Sequence, residues 1–148
     1  MTDTVGNPLQ SLTRFAGEWS MSVEYVFVSE QELTPAELSV YQLWREIVDL
    51  AGGLPHEFRE LKVSATMRPS VAEGMKPGGL WERTTGRVIV HRPQLRSVEL
   101  FAAVLLHEVT HARTGYGDVS RDFESALTDL IGRLAARVLS HESTRPRR

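Results

Sequence analysis

Residues 105–118 read LLHEVTHARTGYGD, and this stretch decides most of what the sequence predicts. A largely apolar run over 98–106 leads into it, which is typical of a buried helix. Within that helix, His107 and His111 are four residues apart, so they lie about 40° apart around the axis and roughly 6 Å along it. Both imidazoles can therefore reach one metal ion with bonds of ~2.0–2.1 Å.

Glu108 completes the pattern H-E-x-x-H. It lies about 100° round the helix from the preceding residue, away from the side that the two histidines share. A carboxylate there can hold a water molecule beside a metal ion, and zinc lowers the pKa of such a water toward ~7. The pattern thus predicts two ligands, His107 and His111, and one general base on a single helix. The competing interpretation is two core histidines satisfied by hydrogen bonds, with Glu108 turned toward solvent.

The flanking segments predict an α+β domain with a small, mostly antiparallel sheet. Alternating β-branched and aromatic residues predict strands at 20–28 and 61–67. A hairpin is predicted over 80–92, with its turn at Thr85-Gly86, and a loop rich in glycine and proline over 67–79. The strand at 87–91 is a candidate edge strand, which can pair with an extended substrate through its backbone.

Three helices are predicted around these strands. The first begins at Thr34, where a cap residue is followed by Pro35 and by Glu37 in a capping box, and it ends near Gly53. The second covers about 98–113 behind Ser97 and is apolar nearly all round, so we expect a buried active-site helix. The third covers about 119–141 and packs against it.

The bulk composition limits the class of protein. The 148 residues predict one domain over 1–148, with the basic segment 142–148 as a disordered tail. The absence of cysteine excludes disulfides and thiolate zinc sites. A formal net charge of −2 argues against a general affinity for nucleic acid. No apolar run is long enough to span a membrane and no secretory leader is visible, so we expect a cytoplasmic protein without a membrane partner.

The sequence resembles the zincin metallopeptidases, in particular their small single-domain members. The resemblance rests on LLHEVTHA and on three features that precede it: Gly79-Leu80-Trp81, the strand 87–92 and Leu95. It covers about 79–135. It implies one zinc ion bound by His107 and His111. It also implies hydrolysis of peptide bonds in a protein or peptide substrate, with Glu108 as the base that activates the metal's water and then returns the proton to the leaving amine.

A catalytic zinc normally has three protein ligands, and two residues compete for the third place. Glu124 matches the gluzincins, which take this ligand from the next helix, because antiparallel packing would bring it level with His111. Asp118 is the alternative, since metzincin and snapalysin-like enzymes return a ligand six residues after the second histidine. Asp118 comes seven residues after, and Thr114 stands where those enzymes have glycine. The sequence favours Glu124, which leaves Asp118 as a helix cap or a hydrogen-bond acceptor for a ligand histidine.

Other hypotheses stay open at this stage. Tyr116 lies beside the predicted site and is a candidate for stabilising the transition state, although it is equally a loop aromatic. A domain of this size has little room for a deep specificity subsite, which favours action on one protein or within a larger assembly. The chain is alternatively a regulatory or interaction module of a bacterial multi-component system that retains a zincin metal site, or a metal-assisted hydrolase of a non-peptide amide.

Overall fold

The structure is a computed structural model that describes residues 24–67 and 78–144. Over these residues it has an α+β architecture, in which one four-stranded sheet packs against helices. The elements in chain order are β1 (Phe27–Val28), α1 (Pro35–Tyr41), α2 (Trp44–Leu50), β2 (Glu60–Ser64), β3 (Gly79–Glu82), β4 (Arg87–His91), α3 (Val98–Thr114) and α4 (Arg121–Ser143), with short 3-10 turns at Glu30–Glu32 and Arg92–Arg96. Residues 20–23 of the first predicted strand, 68–77 of the predicted loop and 145–148 of the predicted tail lie outside the described residues.

The sheet is mixed, with the spatial order β1-β2-β4-β3. Its two outer pairings are antiparallel, as predicted, but the central pairing of β2 with β4 is parallel. The predicted hairpin is confirmed, and Gly86 takes the left-handed conformation that its turn requires, with φ of +71°. The prediction of 87–91 as an edge strand is wrong, because β4 lies between β2 and β3 and β3 forms the edge.

The outer edge of β3 presents the backbone groups of alternate residues. The carbonyl of Gly78 accepts a hydrogen bond from the amide of His91, and the carbonyl of Glu82 accepts one from Gly86. Backbone groups alternate in direction along a strand, so the even-numbered residues of β3 face β4. The amides and carbonyls of Gly79 and Trp81 therefore face outward, and no strand among the described residues pairs with them.

The first predicted helix is present but divided. The hydroxyl of Thr34 accepts a hydrogen bond from the amide of Glu37, and the carboxylate of Glu37 accepts one from the amide of Thr34, so the predicted capping box is confirmed. The chain then bends between α1 and α2. This bend lets Tyr41 of α1 and Val48 of α2 both enter the core.

Helix α3 carries the core and the H-E-x-x-H pattern. Ser97 caps it as predicted, and Phe101, Leu105 and Val109 are fully buried on the side that joins the core cluster. The expectation of burial nearly all round is wrong at the first turn, where Val98 is 46% exposed. The helix ends at Thr114 because the next residue, a glycine, takes a left-handed conformation.

Helix α4 begins behind Ser120, whose hydroxyl accepts a hydrogen bond from the amide of Phe123. Its first half packs on α3, and it continues to Ser143, two residues into the segment predicted as a tail. Arg137 of α4 donates to the carbonyls of Asp49 and Leu50, which tie α4 to the end of α2. None of the described helices is both long and apolar enough to cross a membrane.

Candidate metal centre

Three side chains converge where α3 ends and α4 begins. The Nε2 atom of His111 lies 2.7 Å from Oδ1 of Asp118 and 3.2 Å from Nε2 of His107. The third distance, from Nε2 of His107 to the same oxygen of Asp118, is 3.0 Å. Among the residues that the structure describes, these three form the group of potential metal ligands. The left-handed glycine after α3 makes the turn that brings Asp118 back to the histidines.

The backbone fixes the orientation of His111. Its Nδ1 atom lies 2.7 Å from the carbonyl oxygen of Tyr116, and a carbonyl can only accept, so Nδ1 carries the proton. In the neutral imidazole the lone pair is then on Nε2, which faces His107 and Asp118. A carbonyl acceptor of this kind is a common partner of metal-binding histidines, because it sets both the tautomer and the direction of the ring.

Phe123 supports both histidine rings from α4. Its ring is stacked on that of His111, with centroids 4.0 Å apart and planes 7° apart. It meets the ring of His107 edge-on at 5.0 Å. Phe123 is fully buried, whereas the side chains of His107 and Asp118 are 39% and 70% exposed. The group of three side chains therefore packs against an aromatic ring on one side and is open to solvent on the other.

The donor atoms suit a zinc ion. A tetrahedral ion with bonds of ~2.0–2.1 Å separates its ligand atoms by about 3.3 Å, and the three distances here approach that value. Burial raises the pKa of Asp118, but the two histidines beside it outweigh burial and hold the pKa below its ordinary value, so the carboxylate is ionised at neutral pH. An imidazole lone pair that faces a carboxylate is repulsive unless a cation lies between them. This arrangement of two imidazoles and one carboxylate fits zinc, and it leaves the fourth coordination position open to solvent.

Glu108 lies beside the side of α3 that carries the histidines, about 100° round the axis from His107, as the helical spacing predicts. It is only 7% exposed, so the competing interpretation that it faces solvent is wrong. Burial raises the pKa of Glu108 above its ordinary value, and the charge of Asp118 adds to the rise. The two histidines and the backbone N–H of Trp81 act in the opposite direction. A buried carboxylate with a raised pKa beside potential metal ligands is a candidate for proton exchange.

The remaining predicted site residues lie elsewhere. Glu124 is exposed on α4 and is not part of the ligand group. It follows Phe123, so the helix turns its side chain about 100° away from the residue that faces the histidines. The structure thus places the alternative candidate, Asp118, beside them. Tyr116 reaches His111 through its backbone carbonyl, while the residue itself is 45% exposed.

Two contributors to the site were not predicted. Phe123 is one of them, although its place in the first turn of α4, directly after the loop that carries Asp118, is a usable signal. The contribution of Trp81 comes from its backbone N–H, which no side-chain pattern can reveal. Comparison of the chain with protein-family models, with curated proteins and with solved structures gave no match. What the site does is therefore argued from its own residues.

Proposed function

We propose that this chain is a zinc-dependent peptidase of the zincin type, with His107, His111 and Asp118 as ligands and Glu108 as general base. The proposal rests on one observation. Three potential ligand atoms converge beside α3, and the residue that directly follows the first histidine of the group, Glu108, is a buried carboxylate. A purely structural zinc site has no use for such a carboxylate. With Asp118 as third ligand, the site is closer to the metzincin-like arrangement than to the gluzincin-like one.

The chemistry divides between the ion and the protein. A zinc ion supplies Lewis acidity, which polarises a substrate carbonyl and makes a water molecule more acidic. Glu108 takes the proton from the attacking water, and the same carboxyl group later gives a proton to the departing amine. Its burial favours both steps, because a raised pKa makes the carboxylate a better base and keeps the proton available for return.

The outer edge of β3 is the natural place for a peptide backbone. The outward amide and carbonyl of Gly79 and the outward carbonyl of Trp81 can hydrogen-bond to an extended chain, as edge strands do in peptide recognition. The N–H of Trp81 also acts on the carboxylate of Glu108, so this edge runs beside the proposed base. A peptide on β3 would thus place its backbone, whatever its sequence, near the reacting groups. This favours a protein or peptide substrate.

The test combines metal binding with cleavage. Purified protein is stripped with a chelator, titrated with Zn²⁺ and incubated with a library of proteome-derived peptides, and the products are read by mass spectrometry. We expect about one equivalent of zinc, cleavage that depends on zinc, and loss of both in His111→Ala. The variant His141→Ala is the control, because that histidine lies in the open cleft between α2 and α4. Failure to take up zinc would contradict the proposal, and zinc binding without cleavage would favour a structural or regulatory site.

A further inference from the structure

The strand β3 lies unusually close to helix α3 at Gly79. This glycine is buried, and a Cβ atom placed on it would lie 2.7 Å from Cγ2 of Val104 and 3.1 Å from Cγ of Glu108. The same atom would also lie 3.1 Å from the carbonyl oxygen of Ile89 on β4. The first distance is shorter than van der Waals contact permits, and the carbonyl belongs to the central strand of the sheet and cannot easily give way.

We propose that Gly79 is a positioning residue for Glu108, because only a residue without a side chain lets β3 lie against α3 at this depth. The strand then forms one wall against the methylene groups of Glu108. Two residues further along, the backbone N–H of Trp81 lies close enough to the carboxylate of Glu108 to lower its pKa. Strand β3 therefore contacts the stem of the Glu108 side chain at Gly79 and lies beside its carboxylate at Trp81. The assignment of Glu108 as a base rests on the proposed function, but the contact with Gly79 does not.

The neighbouring Gly78 provides a matched control. A Cβ atom there would also approach Val104, at 3.2 Å, but its nearest contact, at 3.0 Å, is the end of the Gln94 side chain. That flexible end can move aside, and Glu108 is not among the nearest contacts. Gly78→Ala and Gly79→Ala are therefore the same chemical change at adjacent positions that both pack against α3. Only Gly79→Ala meets the stem of the proposed base.

The experiment measures the backbone amide of Trp81 by NMR in the full chain labelled with ¹⁵N-tryptophan, which gives three backbone signals from three tryptophans. Glu108→Gln is the reference, because it weakens the acceptor and shows how far the Trp81 signal moves. We expect Gly79→Ala to move this signal, with and without Zn²⁺, and Gly78→Ala to leave it in place. On a peptide that the wild type cleaves, Gly79→Ala should lower kcat by about 10–100-fold, since small misplacements of reacting groups have effects of that order. KM and zinc affinity should stay close to wild type.

Each result decides the question. An unmoved Trp81 signal in Gly79→Ala, or equal effects of the two alanine variants, would overturn the assignment. If Gly79→Ala does not fold, the double variant with Val104→Ala removes the nearest clashing methyl group. Glu108 then remains as the close side-chain contact, and the same shift is expected relative to Val104→Ala alone. A wild type that cleaves no peptide would contradict the proposed function, and the Trp81 signal would still test the role of Gly79.

Discussion

The two sides of α3 are built in different ways. The side with His107 and His111 meets Asp118 and Phe123, which lie within sixteen residues of the first histidine and are delivered by one turn after the helix. The side with Glu108 meets β3, which is about thirty residues earlier in the chain and is held in place by the sheet. Local chain geometry therefore assembles the proposed ligands, whereas tertiary packing surrounds the proposed base.

The two sides also differ in their exposure to water. The ligand side is open, and its charges are balanced by partners in direct contact, so the pKa of Asp118 is lowered. Glu108, the proposed base, is buried and forms no ion pair with the residues that the structure describes, and burial raises its pKa. The surroundings of one helical turn therefore lower the pKa of one carboxyl group, Asp118, and raise that of another, Glu108. Substitutions among the histidines and Asp118 should therefore alter metal binding, whereas substitutions at Glu108 should alter proton transfer.

The largest expected effect comes from Glu108→Gln. The amide cannot take a proton, and general-base steps typically contribute ~10²–10⁴-fold, so turnover of a cleaved peptide should fall by about that factor. Zinc affinity, measured by competition with a chelator, should change little, because Glu108 lies off the ligand side. Turnover equal to wild type would show that Glu108 is not the base. Loss of zinc binding in this variant would show instead that Glu108 contributes to holding the metal ion.

The next effect separates the two acids after His111. Asp118→Asn should weaken zinc binding by more than the ~10–100-fold that loss of an outer-shell partner typically costs, because it removes a direct ligand. Glu124→Gln is the control, with the same kind of change on an exposed residue of α4, and should leave zinc affinity unchanged. Chelator competition on both variants gives the answer. A larger loss of zinc affinity in Glu124→Gln would show that Glu124 on α4, rather than Asp118, is the third ligand.

The sequence predicted the local features of this fold well. The capping box at Thr34, the cap at Ser97 and the hairpin turn at Gly86 are confirmed, because each depends on residues only a few positions apart. The relation of His107, Glu108 and His111 also follows from helix geometry alone. The parallel pairing of β2 with β4 was not predicted, since it joins residues twenty-seven apart, such as Glu60 and Arg87.

The third potential ligand shows where counting along the chain fails. The sequence argument matched Glu124 to the level of His111 on two antiparallel helices, but it did not include the rotation of α4. Phe123 occupies the position that faces the histidines, and the glycine turn brings in Asp118 despite its one-residue offset from the metzincin pattern. The rotation of α4 about its axis depends on the packing of Phe123 against the histidine rings, which the spacing of residues along the chain does not give.

The smallest effect concerns stability and pH in the metal-free protein. A carboxyl group whose pKa is raised by folding binds its proton more tightly in the folded state than in the unfolded chain. Its contribution to stability is therefore complete below the ordinary carboxyl pKa and is lost as pH rises through the raised pKa of Glu108. The glutamine in Glu108→Gln cannot ionise. The urea concentration at its unfolding midpoint should therefore increase relative to that of wild type as pH rises from about 4 to 8. Glu124→Gln, on the exposed side of α4, should follow wild type across the range. A constant difference between Glu108→Gln and wild type at every pH would show that Glu108 has the same affinity for its proton in the folded and unfolded chains, and the contrast between the two sides of α3 would then be geometric only.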